Sequence, residues 1–309
     1  MIAAALDIGS NSVHLLIAQQ TANGLIALER KKSKVQLGAG LDADNNLSLQ
    51  AIERGLECLR EYIRYMNEHK VQHLFSCATN AIRLANNRAE FITPAEGILM
   101  QPVNVISGNE EARLIFKAIA SEKSCQGTGL VIDVGGGSTE IALGTCEDET
   151  NQPLTWSIQM GCVSYSRQFF ADGKIYQENT QAALTAGRLY IEPVKHELIT
   201  KHCDWMIGTS GTFQSISELC HEFYGTPANV MVRESLDDLL KRLVLIGHVD
   251  KISTRVMEDN RKPILPAGLC ICLSLMQQLD LDELDIGQST LCEGLLIEGL
   301  NETFINLDC

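Results

Sequence analysis

The sequence predicts an α/β fold made of two duplicated domains, and three observations carry that expectation. First, a single supersecondary unit occurs twice: ALDIGSNSVHLLIA at residues 5 to 18 aligns with VIDVGGGSTEIALG at 131 to 144. Asp7 then matches Asp133, Gly9 matches Gly135 and Ser12 matches Ser138, every pair 126 residues apart. A shared acid, glycine and serine in register between apolar flanks is the signature of an internal repeat. Second, the strand before each turn is almost continuously apolar, as a strand buried on both faces of a sheet must be. Third, 309 residues at 45% hydrophobic content are enough to give two domains a core each.

Taken in order, each repeat reads as strand, Gly/Ser turn and second strand. A third strand-like stretch follows, LIALERKKSKVQL in the first copy and LTWSIQMGCVS in the second. Ile52, Leu56, Leu59, Ile63 and Met66 recur at helical spacing after the first copy, with Ser48 as N-cap. SCAT reads as a further buried strand, VNVIS as another, Gly108 and Asn109 as a turn, and EEARLIFKAIA as a helix. Helical patterns recur around Gln177 to Thr200, Ser235 to Ile246 and Ala267 to Leu279, and WMIGTSGTF reads as strand, glycine turn and helix start. SEKSCQGT interrupts the apolar patterns at residues 121 to 128, which sets the expected domains at 1–124 and 125–309. With no Pro-rich linker there, the two domains are expected to pack around a cleft, with this segment as one hinge strand.

Composition excludes several classes. No window approaches the roughly 18 apolar residues of a membrane span, and no basic region precedes the short apolar run at the N-terminus. A cytoplasmic protein without a membrane partner is expected. A net charge of -14 argues against a nucleic-acid partner. Eleven scattered cysteines without a CxxC pair read as reduced, mostly buried thiols. The densest basic stretch, Arg30, Lys31, Lys32 and Lys34, reads equally as a protected strand edge and as a guide for phosphate.

Chemistry is expected at the turns. Glycine permits positive φ and leaves no side chain in the way, so the turn at Gly135, Gly136, Gly137 and Ser138 can cradle a phosphate. Asp7 and Asp133 would be costly beside an apolar sheet unless they hold something. Mg²⁺ binds through one or two carboxylates plus phosphate oxygens and waters. Asp133 and Glu140 fit that sparse set, and Asp7 would help to hold the ion or orient water. Mn²⁺ accepts nearly the same ligands. A hydrolase also needs a group that positions and deprotonates water. Glu110 and Glu111, in the first turn of their helix, offer one, and sequence physics does not separate them.

DIGSNSVHLLI, SCATNAIRLANN, ISGNEEARLIF, VIDVGGGSTEIALG, MGCVSYSRQFF, GTSGTFQSIS and ILPAGLCICL, in that order over residues 5 to about 275, resemble the signature segments of the exopolyphosphatase and guanosine pentaphosphate phosphohydrolase family. The resemblance implies two actin-like (ribonuclease H-like) domains with a catalytic cleft between them. It further implies Mg²⁺-dependent release of terminal phosphate from inorganic polyphosphate or guanosine pentaphosphate. By that resemblance Glu111 is the base, Asp133 and Glu140 serve the metal, and Asn11, Ser12, Arg83, Gly135, Gly136, Gly137 and Ser138 bind phosphate. Gly208, Ser210, Gly211 and Thr212 fall at the floor of the site. A homodimer is left open. Longer family members carry further helical domains, so a chain ending at Cys309 is expected to prefer short polyphosphate, to be weakly processive, or to act on a nucleotide.

Two departures stand out: Cys292 where the family typically has arginine before EGLL, and Asn260 with Arg261 where a Glu-Arg pair is usual. They bear on substrate preference and leave the metal and base residues intact. Cys162, at a motif position, reads as a buried structural thiol. Two other readings compete. A kinase or ATPase of the same architecture would need an adenosine pocket, of which the sequence gives no sign. A catalytically weak alarmone or polyphosphate sensor would bind ligand without releasing phosphate.

Overall fold

The structure, a computed structural model, describes residues 1–22, 24–123, 126–146 and 152–307. The chain divides into two compact units, residues 1–118 with 289–309, and 119–288. The sequence expectation sets the division at 124/125, just past a helix that runs to Lys123, whereas these units divide at 118/119 and the last segment of the chain belongs with the first unit. Residues 124, 125 and 309, at the edges of the expected domains, lie outside the described residues.

The first unit is a five-stranded sheet, β1 (Ile2–Ile8), β2 (Ser12–Thr21), β3 (Gly24–Lys34), β4 (His73–Ala78) and β5 (Asn104–Val105), in the order β3-β2-β1-β4-β5. β1, β2 and β3 form an antiparallel meander, and β4 and β5 run parallel to β1. Helix α1 (Leu49–Glu68) joins β3 to β4, α2 (Asn80–Leu84) and α3 (Ala89–Leu99) join β4 to β5, and α4 (Gly108–Lys123) follows β5. Ser48 caps α1 as expected, its hydroxyl accepting the Ala51 amide at 3.3 Å. Ala4, Leu6 and Ile8 of β1 pack with Leu56, Leu59 and Phe91 on one sheet face. Ala3 and Ala5 alternate to the other face, where Cys292, Leu296 and Leu300 of a late helix, α10 (Leu291–Leu307), cover them. That packing returns the end of the chain to the first unit.

The turn expected at Gly108 and Asn109 is instead the start of α4. Ser107 captures the Glu110 amide with its hydroxyl (3.1 Å) and the Glu111 amide with its carbonyl (3.0 Å), so the helix begins one step earlier than glycine suggests.

The second unit repeats the plan. Its strands are β6 (Thr128–Val134), β7 (Thr139–Thr145), β8 (Leu154–Ile158), β9 (Trp205–Thr209), β10 (Val230–Val232) and β11 (Glu283–Ile286), in the order β10-β11-β9-β6-β7-β8. Again three antiparallel strands are followed by strands parallel to the first, β9 and β11. Only β10 is an addition. Helices α5 (Cys162–Phe169), α6 (Gln177–Ile199), α7 (Gly211–Tyr224), α8 (Arg233–Ile246) and α9 (Leu265–Gln278) complete it. α9 is buried from Leu265 through Met276, which explains its lack of a polar face. The expected strand LTWSIQMGCVS ends at Ile158, because Gly161 starts α5. Both units thus have the actin-like (ribonuclease H-like) strand order.

Every cysteine among the described residues is a free thiol. No helix among them is long and apolar enough to cross a membrane.

Candidate active site

The two repeated turns fold alike. The Gly9 amide donates to the Ser12 carbonyl at 3.1 Å, and the Gly135 amide to the Ser138 carbonyl at 2.9 Å. Space, rather than positive φ, is what demands glycine here. A Cβ on Gly9 would stand 2.9 Å from the Ser12 carbonyl oxygen, and one on Gly135 would stand 3.1 Å from that of Ser138. Since the Gly135 amide closes its own turn, that glycine shapes the loop instead of offering its N–H to a ligand. Ser12 and Ser138 are both buried in their turns, and Asn11 lies at the tip of the first, its carbonyl accepting the Val35 and Gln36 amides.

In the second unit, Asp133 and Glu140 are direct cross-strand partners on β6 and β7, so their side chains share one face of the sheet. A Cβ at Gly135 would lie 3.9 Å from Glu140 Oε2 and 4.0 Å from Asp133 Oδ1, so both carboxylates border the space this glycine leaves open. Glu140 is only 2% exposed, and its Oε1 accepts the Ser157 hydroxyl at 2.9 Å, which fixes the carboxylate plane. Two oriented carboxylates beside a glycine turn fit the sparse oxygen set a Mg²⁺ or Mn²⁺ ion uses when phosphate and water complete its shell. Among the described residues no group of three or more His, Cys, Asp or Glu side chains converges as a full protein cage.

At the equivalent position the first unit pairs a carboxylate with histidine instead. Asp7 faces His14 across β1 and β2, and residue 14 is the repeat counterpart of residue 140. The signal is present in the sequence at the same 126-residue offset, since the duplicated frame carries histidine in one copy and glutamate in the other.

Contacts from the start of α5 and from Thr139 stiffen the second turn. The carbonyls of Gly135 and Gly136 accept the Cys162 and Val163 amides at 3.0 and 2.8 Å, so the first N–H groups of α5 hold the loop from behind. Gly161 makes this approach feasible, because a Cβ there would meet Gly136 and Gly137 backbone atoms at 2.4 Å. Thr139, fully buried, donates its hydroxyl to the Met160 carbonyl at 2.5 Å.

Glu110 and Glu111, equivalent by sequence, separate in the structure. Glu110 accepts two hydrogen bonds from Arg113, at 2.9 and 2.7 Å, and its side chain is 40% exposed. Arg113 also binds Glu298 of α10, which Lys117 engages as well. Glu110 therefore belongs to a surface network. Glu111 is 13% exposed, 3.4 Å from the Arg83 guanidinium. Arg83, on α2, donates Nη1 to the Ile106 carbonyl at 2.8 Å, and its buried Nη2 has no hydrogen-bond partner among the described residues. Local sequence physics leaves the two glutamates equivalent, and only the family resemblance singles out Glu111, because the physical division depends on a helix some 180 residues further along the chain.

The third turn differs from expectation. Gly208 lies within β9, and a Cβ there would press on Phe213 at 2.7 Å and Leu284 at 3.0 Å. Close packing alone accounts for glycine at this position, which the sequence expectation places at the floor of the site. Ser210, at φ 110°, caps α7 by accepting the Thr212 and Phe213 amides at 3.1 and 3.4 Å. Arg261 donates to the Gly211 carbonyl and the Ser215 hydroxyl. A Cβ on Gly211 would land 2.1 Å from the Arg261 guanidinium. Sequence reasoning assigned Arg261 no role, although it stands beside the Asn260 departure. Thr212 donates its hydroxyl to Cys162 Sγ at 3.8 Å, and burial pushes the Cys162 thiol up, consistent with an inert structural cysteine. Cys292 is buried with its thiol near the His14 carbonyl at 3.8 Å, and burial, with Asp7 nearby, holds it well above the ordinary range.

Known proteins share this architecture. The model of the Ppx/GppA phosphatase family matches residues 16–303. A guanosine-5'-triphosphate,3'-diphosphate pyrophosphatase of Pseudoalteromonas translucida (strain TAC 125) is 36% identical over 308 residues. That alignment takes in 97% of this chain and 59% of the relative, so the chain spans well under two thirds of its length. Among solved structures, the Aquifex aeolicus PPX-GPPA enzyme superposes with a TM-score of 0.78 at 27% identity, over 96% of this chain and 99% of that one. An exopolyphosphatase from Cytophaga hutchinsonii ATCC 33406 shares the fold with a TM-score of 0.86 at 22% identity, over 98% of both chains. By the extent of the family match and the identity to its relative, the chain belongs to the Ppx/GppA phosphatase family.

Proposed function

We propose that this chain hydrolyses the terminal phosphoanhydride bond of inorganic polyphosphate or guanosine pentaphosphate, releasing orthophosphate with the aid of a divalent cation. The observation that carries the reading is the contrast between the two glutamates. Glu110 is engaged by Arg113, while Glu111 is buried beside an arginine with an unused, buried N–H edge. Glu111 takes a proton from water as its oxygen bonds to the terminal phosphorus, and the bridging P–O bond breaks toward the rest of the chain. Arg83 Nη2 donates to a phosphate oxygen, which answers the cost of leaving a buried guanidinium N–H without an acceptor.

Asp133 and Glu140 would hold the Mg²⁺ or Mn²⁺ ion, which supplies neutralisation of the phosphate charge on a chain of net charge -14. Asp7 orients water, and Asn11, Ser12, Gly136, Gly137 and Ser138 line the phosphate-facing turns. Ser210 and Thr212 shape the third turn, with Gly211 beneath Arg261. The name of the Pseudoalteromonas relative, a guanosine-5'-triphosphate,3'-diphosphate pyrophosphatase, supports the nucleotide as one substrate.

Phosphate release from short polyphosphate, long polyphosphate, guanosine pentaphosphate and ATP, with Mg²⁺ and with chelator, tests the reading. Release from one of the first three that chelator abolishes is expected. Release from ATP alone, or tight binding without release, would replace it with the kinase-like or the sensor reading. Glu140→Gln should also weaken cation binding, measured directly by Mn²⁺ titration without substrate.

A further inference from the structure

We infer that the edge strand β3 carries a binding strip for the trailing anionic chain of a condensed phosphate, beginning at the first glycine turn. This inference rests on the hydrolase reading, since it supplies the remainder of the same substrate with a place to lie.

β3 is an edge strand, and its residues alternate in role. Lys31 and Ser33 turn toward α1, where Lys31 Nζ sits 4.4 Å from the centroid of the Tyr65 ring and Ser33 is hydrogen-bonded to the Tyr62 hydroxyl at 2.9 Å. Arg30, Lys32 and Lys34 occupy the opposite face, and all three are exposed. Alternate residues of a strand stand about 6.7 Å apart, so the three cations form a stripe about 13 Å long.

Register ties that stripe to the turn. Lys34 pairs with Ser12, Lys32 with His14 and Arg30 with Leu16, and the register shift in this ladder lies beyond them at Ile17/Ala18. Directly paired residues share a face, so Lys34 flanks Ser12 and Lys32 extends the row formed by His14 and Asp7. The chain following Lys34 is fastened to the turn itself, with the Val35 and Gln36 amides donating to the Asn11 carbonyl at 3.1 and 3.0 Å. Arg30, at the far end, is anchored to Glu293 at 2.5 Å. In a strongly acidic chain this stripe gathers three cations on one exposed face, one of them ion-paired with Glu293, a charge pattern suited to a polyanion. A substrate of three phosphates cannot span both the turn and the whole strip, whereas a long chain can.

The test measures affinity, without divalent cation so that nothing turns over, for long-chain polyphosphate, tripolyphosphate and a single-stranded DNA oligonucleotide. Wild type is compared with Lys32→Gln/Lys34→Gln, with Lys32→Arg/Lys34→Arg, and with Lys241→Gln/Lys251→Gln as an equal charge change in the second unit. The strip predicts a loss of about 3- to 30-fold for the long chain in the first double variant, a shallower salt dependence, rescue by arginine, and a several-fold smaller loss for tripolyphosphate, which reaches Lys34 at the turn but does not cover the strip. Equal loss for tripolyphosphate, equal loss in the distant control, no binding of the long chain by wild type, or DNA bound as tightly with the same loss would each overturn it. If the protein releases no phosphate from any substrate but this affinity pattern holds, the hydrolase reading fails and the strip stands.

Discussion

Gly161→Ala probes how the second turn is held. The added Cβ would meet the Gly136 carbonyl oxygen and the Gly137 backbone at 2.4 Å, where ordinary contact begins near 3.4 Å, so α5 and the turn must separate by about 1 Å. A shift of that size stretches the Cys162–Gly135 and Val163–Gly136 hydrogen bonds, now 3.0 and 2.8 Å, out of range. Losing two such bonds costs about 2 kcal/mol, and backbone overpacking adds about 1 to 3. For a chain of this size that corresponds to a melting point lowered by about 5 to 15 °C. Displacing catalytic geometry by about 1 Å costs about 10²-fold in rate. Thermal melting and phosphate release at a temperature where the variant is fully folded measure the two effects separately. Gly97→Ala is the control, since nothing lies within 4 Å of the position and it is an exposed helical site. It should gain about 0.5 to 1 kcal/mol. A Gly161→Ala protein that melts within about 2 °C of wild type and keeps its rate would refute the role given to α5.

Three further outcomes follow from the packing and the charge network. Tyr62→Phe removes a buried hydroxyl that donates to the Val13 carbonyl at 3.1 Å and is hydrogen-bonded to the Ser33 hydroxyl at 2.9 Å, and should cost about 1 to 2 kcal/mol in urea unfolding with an unchanged m-value. Glu298 is pushed up by burial, but hydrogen bonds from Lys117 and Arg113 outweigh this and hold its carboxyl below the ordinary 4.5. A carboxyl depressed in the folded state stabilises above its unfolded pKa, and that contribution disappears as pH falls through the folded value. Glu298→Gln should therefore lower stability at neutral pH and flatten the acid limb below about pH 4.5 in a pH series of melting curves. Cys77, Cys270, Cys272 and Cys292, buried and with thiols raised by burial, should resist a thiol reagent until the protein unfolds. Prompt labelling of these four in native protein would contradict their burial.

Features set by local chemistry are legible in the residues themselves. The repeated Asp, Gly and Ser frame locates the two hairpin turns, Ser48 marks the start of α1, and period-3.6 patterns locate α6, α8 and α9. What escapes depends on partners distant in sequence. α10 returns to the first sheet because Cys292, Leu296 and Leu300 cover Ala3 and Ala5, and no local signal announces that. Gly208 resembles a turn glycine, yet Phe213 and Leu284 define it as a packing residue. Glu110 and Glu111 are neighbours that share one helix dipole. Apart from the family resemblance, what tells them apart is Arg113 with Glu298 on one side and Arg83 on the other.

That distinction gives the most direct test of the central claim. Phosphate release by wild type, Glu111→Gln and Glu110→Gln should be compared with Mg²⁺ on whichever condensed phosphate the wild type cleaves. The account predicts that Glu111→Gln loses about 10² to 10⁴-fold in kcat with the fold intact, while Glu110→Gln stays within a few-fold of wild type. Equal rates for Glu111→Gln and wild type, or a comparable loss in both variants, would contradict it.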